Sequence, residues 1–117
     1  MKKIIDLLSL TLILFTLFGC GATFKNLKMS DFQQAFKASG VNVSTNLKPD
    51  YALIGAKDGI MFYMNNSPVK IYEFASKDAL NTAEKNHSKI MSGWPINGLF
   101  VLETNEAKAK EIFNGVK

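Results

Sequence analysis

The amino-acid sequence predicts an α+β domain: a four-stranded, mainly antiparallel sheet with about three helices, in the order α-β-β-β-α-β-α. Three observations predict it. Residues 51–74 hold three short runs rich in aromatic and branched side chains, Tyr51 to Ala56, Ile60 to Met64 and Val69 to Phe74. Turn-forming residues separate them, Lys57-Asp58-Gly59 and then Asn65-Asn66-Ser67-Pro68, as in a meander of hairpins. The flanking segments instead space their apolar residues three and four apart behind capping residues, the period of a helix with one buried side.

Taken in order, Ser30 is suited to cap a first helix, with Gln33 three residues on and Phe32 and Phe36 on one side. Gly40 would close it in a left-handed conformation. Residues 41–50 are polar and contain Pro49, so a loop is expected. In the meander, Gly59 is assigned to the turn position that favours positive φ. If Ala56 opposes Ile60 and Met64 opposes Val69, then Ile54 faces Phe62 and Phe62 faces Ile71. One sheet face is then apolar throughout: Ala52, Ile54, Ala56, Ile60, Phe62, Met64, Val69 and Ile71. The other carries Tyr51, Leu53, Gly55, Met61, Tyr63, Lys70, Tyr72 and Phe74, a mixture that is neither core nor ordinary polar surface.

Ser76 is placed to cap a second helix reaching about Met91, with Leu80, Ala83, His87, Ile90 and Met91 along one stripe. Gly93 and Pro95 end it and hold Trp94 in a constrained loop. Leu99 to Leu102 is apolar on both sides, the pattern of a strand covered on both faces. A last helix from Thr104 or Asn105 to Gly115 turns Ala109, Ile112, Phe113 and Val116 inward. Helix 2 is expected to carry the chain over to a fourth strand lying parallel to an edge strand, with the helices on one face. If helix 1 or helix 3 crosses to the other face, Tyr63 and Tyr72 are buried.

The N-terminal segment bears on location. Lys2 and Lys3 precede an apolar stretch from Leu7 to Phe18, interrupted only by Ser9, Thr11 and Thr16. As a helix those twelve residues reach about 18 Å, short of a hydrocarbon core of about 30 Å, so a secretory signal is favoured over a membrane span; extended to Phe24 the run reaches about 27 Å, which leaves an uncleaved anchor as the alternative. Leu17, Gly19 and Cys20 at its end resemble the lipobox of bacterial prolipoproteins: a leucine three before the cysteine, a small residue directly before it, and the cysteine itself. The resemblance covers residues 1–20 only. It implies diacylglyceryl transfer to the Cys20 thiol and removal of residues 1–19. No period is evident from Gly21 to Met29, so residues 20–29 are expected to be a lipidated tether, and the length that remains predicts a single small domain over residues 30–117. The resemblance also implies a cell-membrane location outside the cytoplasm. Gly21, in place of an aspartate after the cysteine, implies the outer membrane where a cell has two. Acylation would also account for a lone cysteine in an exported chain, which has no disulfide partner, and multiple acyl chains meet the requirement for stable anchoring.

The chain has 117 residues and a net charge of +4 with no arginine. Dispersed lysines without arginine argue against nucleic acid, which favours bidentate guanidinium contacts. Lys25 and Lys28, just beyond Cys20, are placed to meet anionic lipid. His87 is the single histidine, so neither a metal site nor a Ser-His-Asp arrangement is expected, and no cofactor. Asp58, Glu73, Glu84 and Glu103 form no evident catalytic pair. Asp58 is assigned to its turn, Glu73 to a place opposite Ile60, and His87 to packing. The candidate binding surface is Tyr51, Met61, Tyr63, Lys70, Tyr72, Phe74 and Trp94, since aromatic rings with polar tips suit interfaces. These features favour a membrane-tethered, non-enzymatic domain that meets a protein or envelope component. A protective lipoprotein directed against toxins or phage is the alternative, and a small envelope enzyme a third.

Overall fold

The computed structural model of the chain describes residues 26–43 and 46–117. They form an α+β fold around a four-stranded antiparallel sheet. The elements are α1 (Met29–Ala38), a 3₁₀ turn (Tyr51–Ile54), β1 (Asp58–Met64), β2 (Ser67–Glu73), α2 (Lys77–Asn86), the single-turn α3 (Ser88–Met91), β3 (Ile96–Asn97), β4 (Phe100–Thr104) and α4 (Ala107–Asn114). The strands lie side by side in the order β1-β2-β4-β3.

In α1, Phe32 and Phe36 fall four residues apart and are fully buried, as their spacing predicts. The cap lies two residues earlier than the expected Ser30. Lys28 is the N-cap, and its backbone N–H donates to the Asp31 carboxylate at 2.7 Å. Gly40, at φ +87°, ends the helix with its N–H on the Lys37 carbonyl, while the N–H of Val41 reaches back to the Phe36 carbonyl, each at 3.0 Å. That pair of bonds is a Schellman closure, and it satisfies carbonyls the helix would otherwise leave without donors.

Tyr51–Ile54 is a 3₁₀ turn and not the first strand of a meander. The left-handed residue that reverses the chain is Gly55, at φ +83°, so Gly59 is free to join β1. Gly59 serves a different purpose. A Cβ there would lie 2.9 Å from Cγ of Pro49 and 3.2 Å from Cβ of Tyr51. The segment before the 3₁₀ turn therefore runs hard against β1, and Met61 N–H donates to the Leu47 carbonyl at 3.2 Å. An edge strand is thus partly covered by the chain's own coil, which limits pairing with other molecules. Asp58 opens β1 instead of occupying a three-residue loop. It bonds Lys48 Nζ and the Gly59 N–H, each at 2.8 Å. The Lys48 hydrogen bond holds the Asp58 carboxyl below its ordinary range, and Asp58 in turn raises Lys48.

The β1–β2 hairpin turns on Asn65 and Asn66, at φ 51° and 67°. Two central residues at positive φ suit a two-residue hairpin turn, and Asn tolerates them better than most side chains. The register is Ile60↔Ile71, Phe62↔Val69 and Met64↔Ser67, offset by two from the expectation that Phe62 faces Ile71. Because side chains alternate, an offset of two leaves each strand's faces unchanged. Glu73 opposes Asp58, not Ile60.

β4 runs antiparallel to β2, with Ile71↔Leu102 and Glu73↔Phe100 paired, and not parallel to an edge strand. The reason is β3. After the α2–α3 crossover, Ile96-Asn97 forms a two-residue strand, and Gly98, at φ +65°, reverses the chain so that β4 slots between β2 and β3. The strand that does run parallel to β2 is β3, held one position further out.

The helices cover both faces, where one was expected. On the first, α1 and α4 pack Phe32, Phe36, Ala109 and Phe113 against Ile60, Phe62, Val69, Ile71, Phe100 and Leu102. Phe32 sits 4.6 Å from Phe100 and 4.9 Å from Phe113, ring centre to ring centre, and Phe36 meets Phe62 edge-on at 4.9 Å. On the second, α2, α3 and the 3₁₀ turn pack Leu80, Ala83, Met91, Ile54 and Ala56 against Tyr72, Phe74 and Val101. Ile54 and Ala56 therefore lie on the face opposite to the one expected, because they do not belong to a strand.

Ser76 caps α2 through its hydroxyl, which accepts from the Ala79 N–H at 3.1 Å. The helix stops at Asn86, short of Met91, since His87 leaves the helical conformation at φ −124°, ψ 34°. The break turns Ile90 outward and keeps Met91 inside. α4 begins at Ala107, later than expected, after Thr104 Oγ1 accepts from the Glu106 N–H. Its far end is clamped by buried Asn97, whose side-chain amide donates to the carbonyls of Phe113 at 3.0 Å and Val116 at 2.9 Å.

Asn97→Ala leaves two buried carbonyls without these donors, so a loss of about 2 kcal/mol or more is expected in the urea unfolding free energy. Gly59→Ala forces a Cβ into the Pro49–Tyr51 segment and should cost about 1–3 kcal/mol in the same assay, whereas Gly115→Ala, where the nearest atoms lie at 3.4 Å and beyond, should be close to neutral.

Candidate functional site

The second face of the sheet is only half covered, and this division shapes the candidate surface. Along β2 and β4 the side chains on that face are Lys70 and Tyr72, Val101 and Glu103, with Met61 and Tyr63 beside them on β1. α2 and α3 cover the Tyr72–Val101 half, where Phe74 is fully buried and Tyr72 nearly so. Phe74 is thus part of the core and no part of a surface, and Tyr72 offers only its margin. Tyr51 is half-buried against the same cluster. At the other half, Met61 and Lys70 are partly exposed, and Tyr63 keeps 52% of its surface in solvent. The sheet alternation places Tyr63 and Tyr72 on one face, as the sequence predicts, but only Tyr72 lies under a helix.

Trp94 links the two halves. Its ring lies parallel to that of Tyr72, with 4° between planes and 5.9 Å between centres, an offset stack of the kind aromatic pairs favour. The Tyr72 hydroxyl donates to Glu103 Oε1 at 2.6 Å, and Lys70 Nζ approaches the same oxygen at 3.8 Å. Burial first, and then the Glu103 hydrogen bond and charge, push the Tyr72 phenol far above its ordinary value. Charge-assisted bonds of this kind are shorter and stronger than neutral ones, so Tyr72 and Glu103 fix each other while Lys70 remains a loosely held, solvated partner.

Beside this group lies a cleft of about 140 Å³ lined by Pro68, Lys70, Trp94, Glu103, Thr104 and Asn105. Trp94 is also a wall of a second cleft, of about 290 Å³, with Glu84, Ser88, Met91, Ser92 and Gly93. A third depression, between the 3₁₀ turn and α2, includes Leu53, Asp78, Asn86 and His87. The structure brings Lys70, Trp94 and Glu103 together around one opening and leaves His87 in another. Glu103, Thr104 and Asn105 are the residues sequence reasoning missed. Their signal was weak, since it depends on β4 lying beside β2, which no local pattern specifies. Glu73 pairs with Lys57 at 3.6 Å at the opposite end of the sheet, and Asp58 with Lys48. Neither carboxylate faces the Trp94 cleft.

Among the described residues no group of three histidine, cysteine or carboxylate side chains converges as a metal would require, and no helix is long and apolar enough to cross a membrane. Cys20, the expected lipidation site, and Lys25 lie outside the described residues. Comparisons with protein-family models, with curated proteins and with solved structures find nothing that matches this chain.

Folding favours the neutral phenol of Tyr72. Its contribution to stability is full below the ordinary tyrosine value near 10 and is lost as pH rises from there toward the folded-state value. Urea midpoints measured from about pH 8 to 11 should fall with pH in the wild type, and the fall should be shallower in Tyr72→Phe. Equal slopes would show that Tyr72 does not titrate differently in the folded chain.

Proposed function

We propose that this protein is a membrane-anchored lipoprotein whose folded domain acts as a non-enzymatic binding module at the cell envelope. The anchor rests on the resemblance of Leu17-Phe18-Gly19-Cys20 to a lipobox. The binding role rests on one observation, the half of the sheet face that the helices leave open, where Lys70, Glu103 and Trp94 line one cleft and Tyr63 lies exposed on the same face.

The direction of α1 supports joining the two. Phe32, near its start, packs on Phe100 at the first residue of β4, whereas Phe36 packs on Phe62, level with Val69 and Thr104. α1 therefore starts at the end of the sheet away from the Thr104 cleft. A lipid on Cys20, upstream of Met29, would hold that starting end toward the membrane and turn the cleft toward the aqueous side. The non-catalytic reading rests on the chemistry of the side chains: His87 and Glu103 belong to different depressions, and among the described residues neither depression is lined by a serine or cysteine beside a base.

Metabolic labelling with a palmitate analogue tests the anchor. Wild type should take up label and fractionate with membranes, and Cys20→Ala should do neither. Label on both proteins, or unlabelled full-length wild type among soluble proteins, overturns this reading.

A further inference from the structure

The walls of the Trp94 cleft define what could occupy it. Its charges are matched: Lys70 and Glu103 approach to 3.8 Å, so the opening offers no net attraction to a phosphate or to an ammonium ion. What remains is a set of hydrogen-bonding groups of both kinds. Lys70 donates, Glu103 accepts, Asn105 does both, and Thr104, whose hydroxyl already donates to the Pro68 carbonyl at 3.2 Å and accepts from the Glu106 N–H at 3.1 Å, keeps one acceptor position. Against them stands one aromatic wall, Trp94, braced from behind by the parallel ring of Tyr72. The Tyr72 hydroxyl holds Glu103 in place at 2.6 Å, so the wall and the main acceptor are arranged before any ligand arrives, which lowers the cost of binding. At about 140 Å³ the cleft is well below the roughly 300 Å³ or more typical of a drug-sized ligand, and it is too polar for an aliphatic peptide side chain. The second cleft repeats the same chemistry on Trp94, with Glu84, Ser88 and Ser92 as its polar groups.

We propose that the Trp94 cleft binds one ring of a neutral saccharide. The indole receives the ring's C–H surface, and Lys70, Glu103, Thr104 and Asn105 take its hydroxyls, each of which needs both a donor and an acceptor. A chain continuing past Trp94 would meet Glu84, Ser88 and Ser92 next. The inference rests on the reading of this domain as an envelope-facing binding module and names the class of ligand it takes. Two clefts sharing one aromatic wall suit an oligosaccharide better than a single sugar.

Trp94 is the only tryptophan in the chain, so its fluorescence reports the site directly. The full chain in detergent should show a saturable emission change with tri-N-acetylchitotriose or cellotriose, half-complete at about millimolar concentration. Calorimetry should find that heat lost in Trp94→Ala. Because Trp94→Ala removes a stacked ring and could unfold the domain, Glu103→Gln is the second variant: its amide oxygen still accepts from Tyr72, and affinity should fall about tenfold. The proposal is overturned if neither trisaccharide gives a saturable change at about tenfold above that range. It is also overturned if binding is unaltered in both variants, or if inorganic phosphate saturates the signal and the sugars do not. A failed titration in protein that still carries label on Cys20 removes the saccharide alone. Absence of the label removes the anchor, whatever the fluorescence shows.

Discussion

Phe100 and Leu102 face one layer of this domain and Val101 the other, all three essentially out of solvent, so β4 can be desolvated only if the sheet is covered on both sides. The remaining architecture follows from that requirement. α1 and α4 close the first face with Phe32, Phe36 and Phe113, and α2, α3 and the 3₁₀ turn close half of the second. A domain this small buries only a modest fraction of its surface. Few helices are available, and two are spent on the larger apolar face. The second face receives one and a half, and that shortage is what exposes Tyr63 and opens the Trp94 cleft.

The place of β4 depends on a side chain of little apparent weight. Asn97 lies in a two-residue strand too short to hold by pairing alone, yet its amide bonds the carbonyls of Phe113 and Val116. This ties β3 to the end of α4, so the outer strand of the sheet and the last helix form one unit around β4. Unpaired carbonyls at a buried helix end carry a substantial desolvation cost, which makes the contact structural and not decorative. The same economy shows at the opposite edge, where Pro49 and Leu47 run against Gly59 and Met61 and shield β1.

Functional groups gather where the two constraints meet. Tyr72 must be buried under α2, and a buried hydroxyl needs a partner. Glu103, one strand away, supplies it, and Trp94 stacks against the ring from the loop that ends α3. The Tyr72–Glu103–Lys70 group is thus a consequence of how the second face is sealed, and the cleft beside it is the rim of that seal. Where a helix stops short over a sheet, the last covered polar residue and the first uncovered one stand next to each other, and both can meet a ligand.

Local order was legible along the chain wherever a short-range pattern carried it. The 3.6-residue spacing of Phe32 and Phe36, the Ser76 cap, Gly40 and the two-sided apolar run around Val101 all give the elements expected of them, because each depends on neighbours within a few residues. The alternation of Met61, Tyr63, Lys70 and Tyr72 also placed them together on one face, since a register offset of two preserves alternation. Tertiary structure alone decided the rest. Whether Tyr51–Ile54 becomes a strand or a turn depends on the approach of Pro49 to Gly59; whether β4 runs parallel or antiparallel depends on the two residues of β3. Which of the aromatic residues are buried depends on where α2 ends, at a histidine whose own sequence context looks helical. These outcomes are set by contacts between residues far apart in the chain, which one strand or helix cannot encode, and they are the contacts that turn an alternating pattern into a covered face and an open cleft.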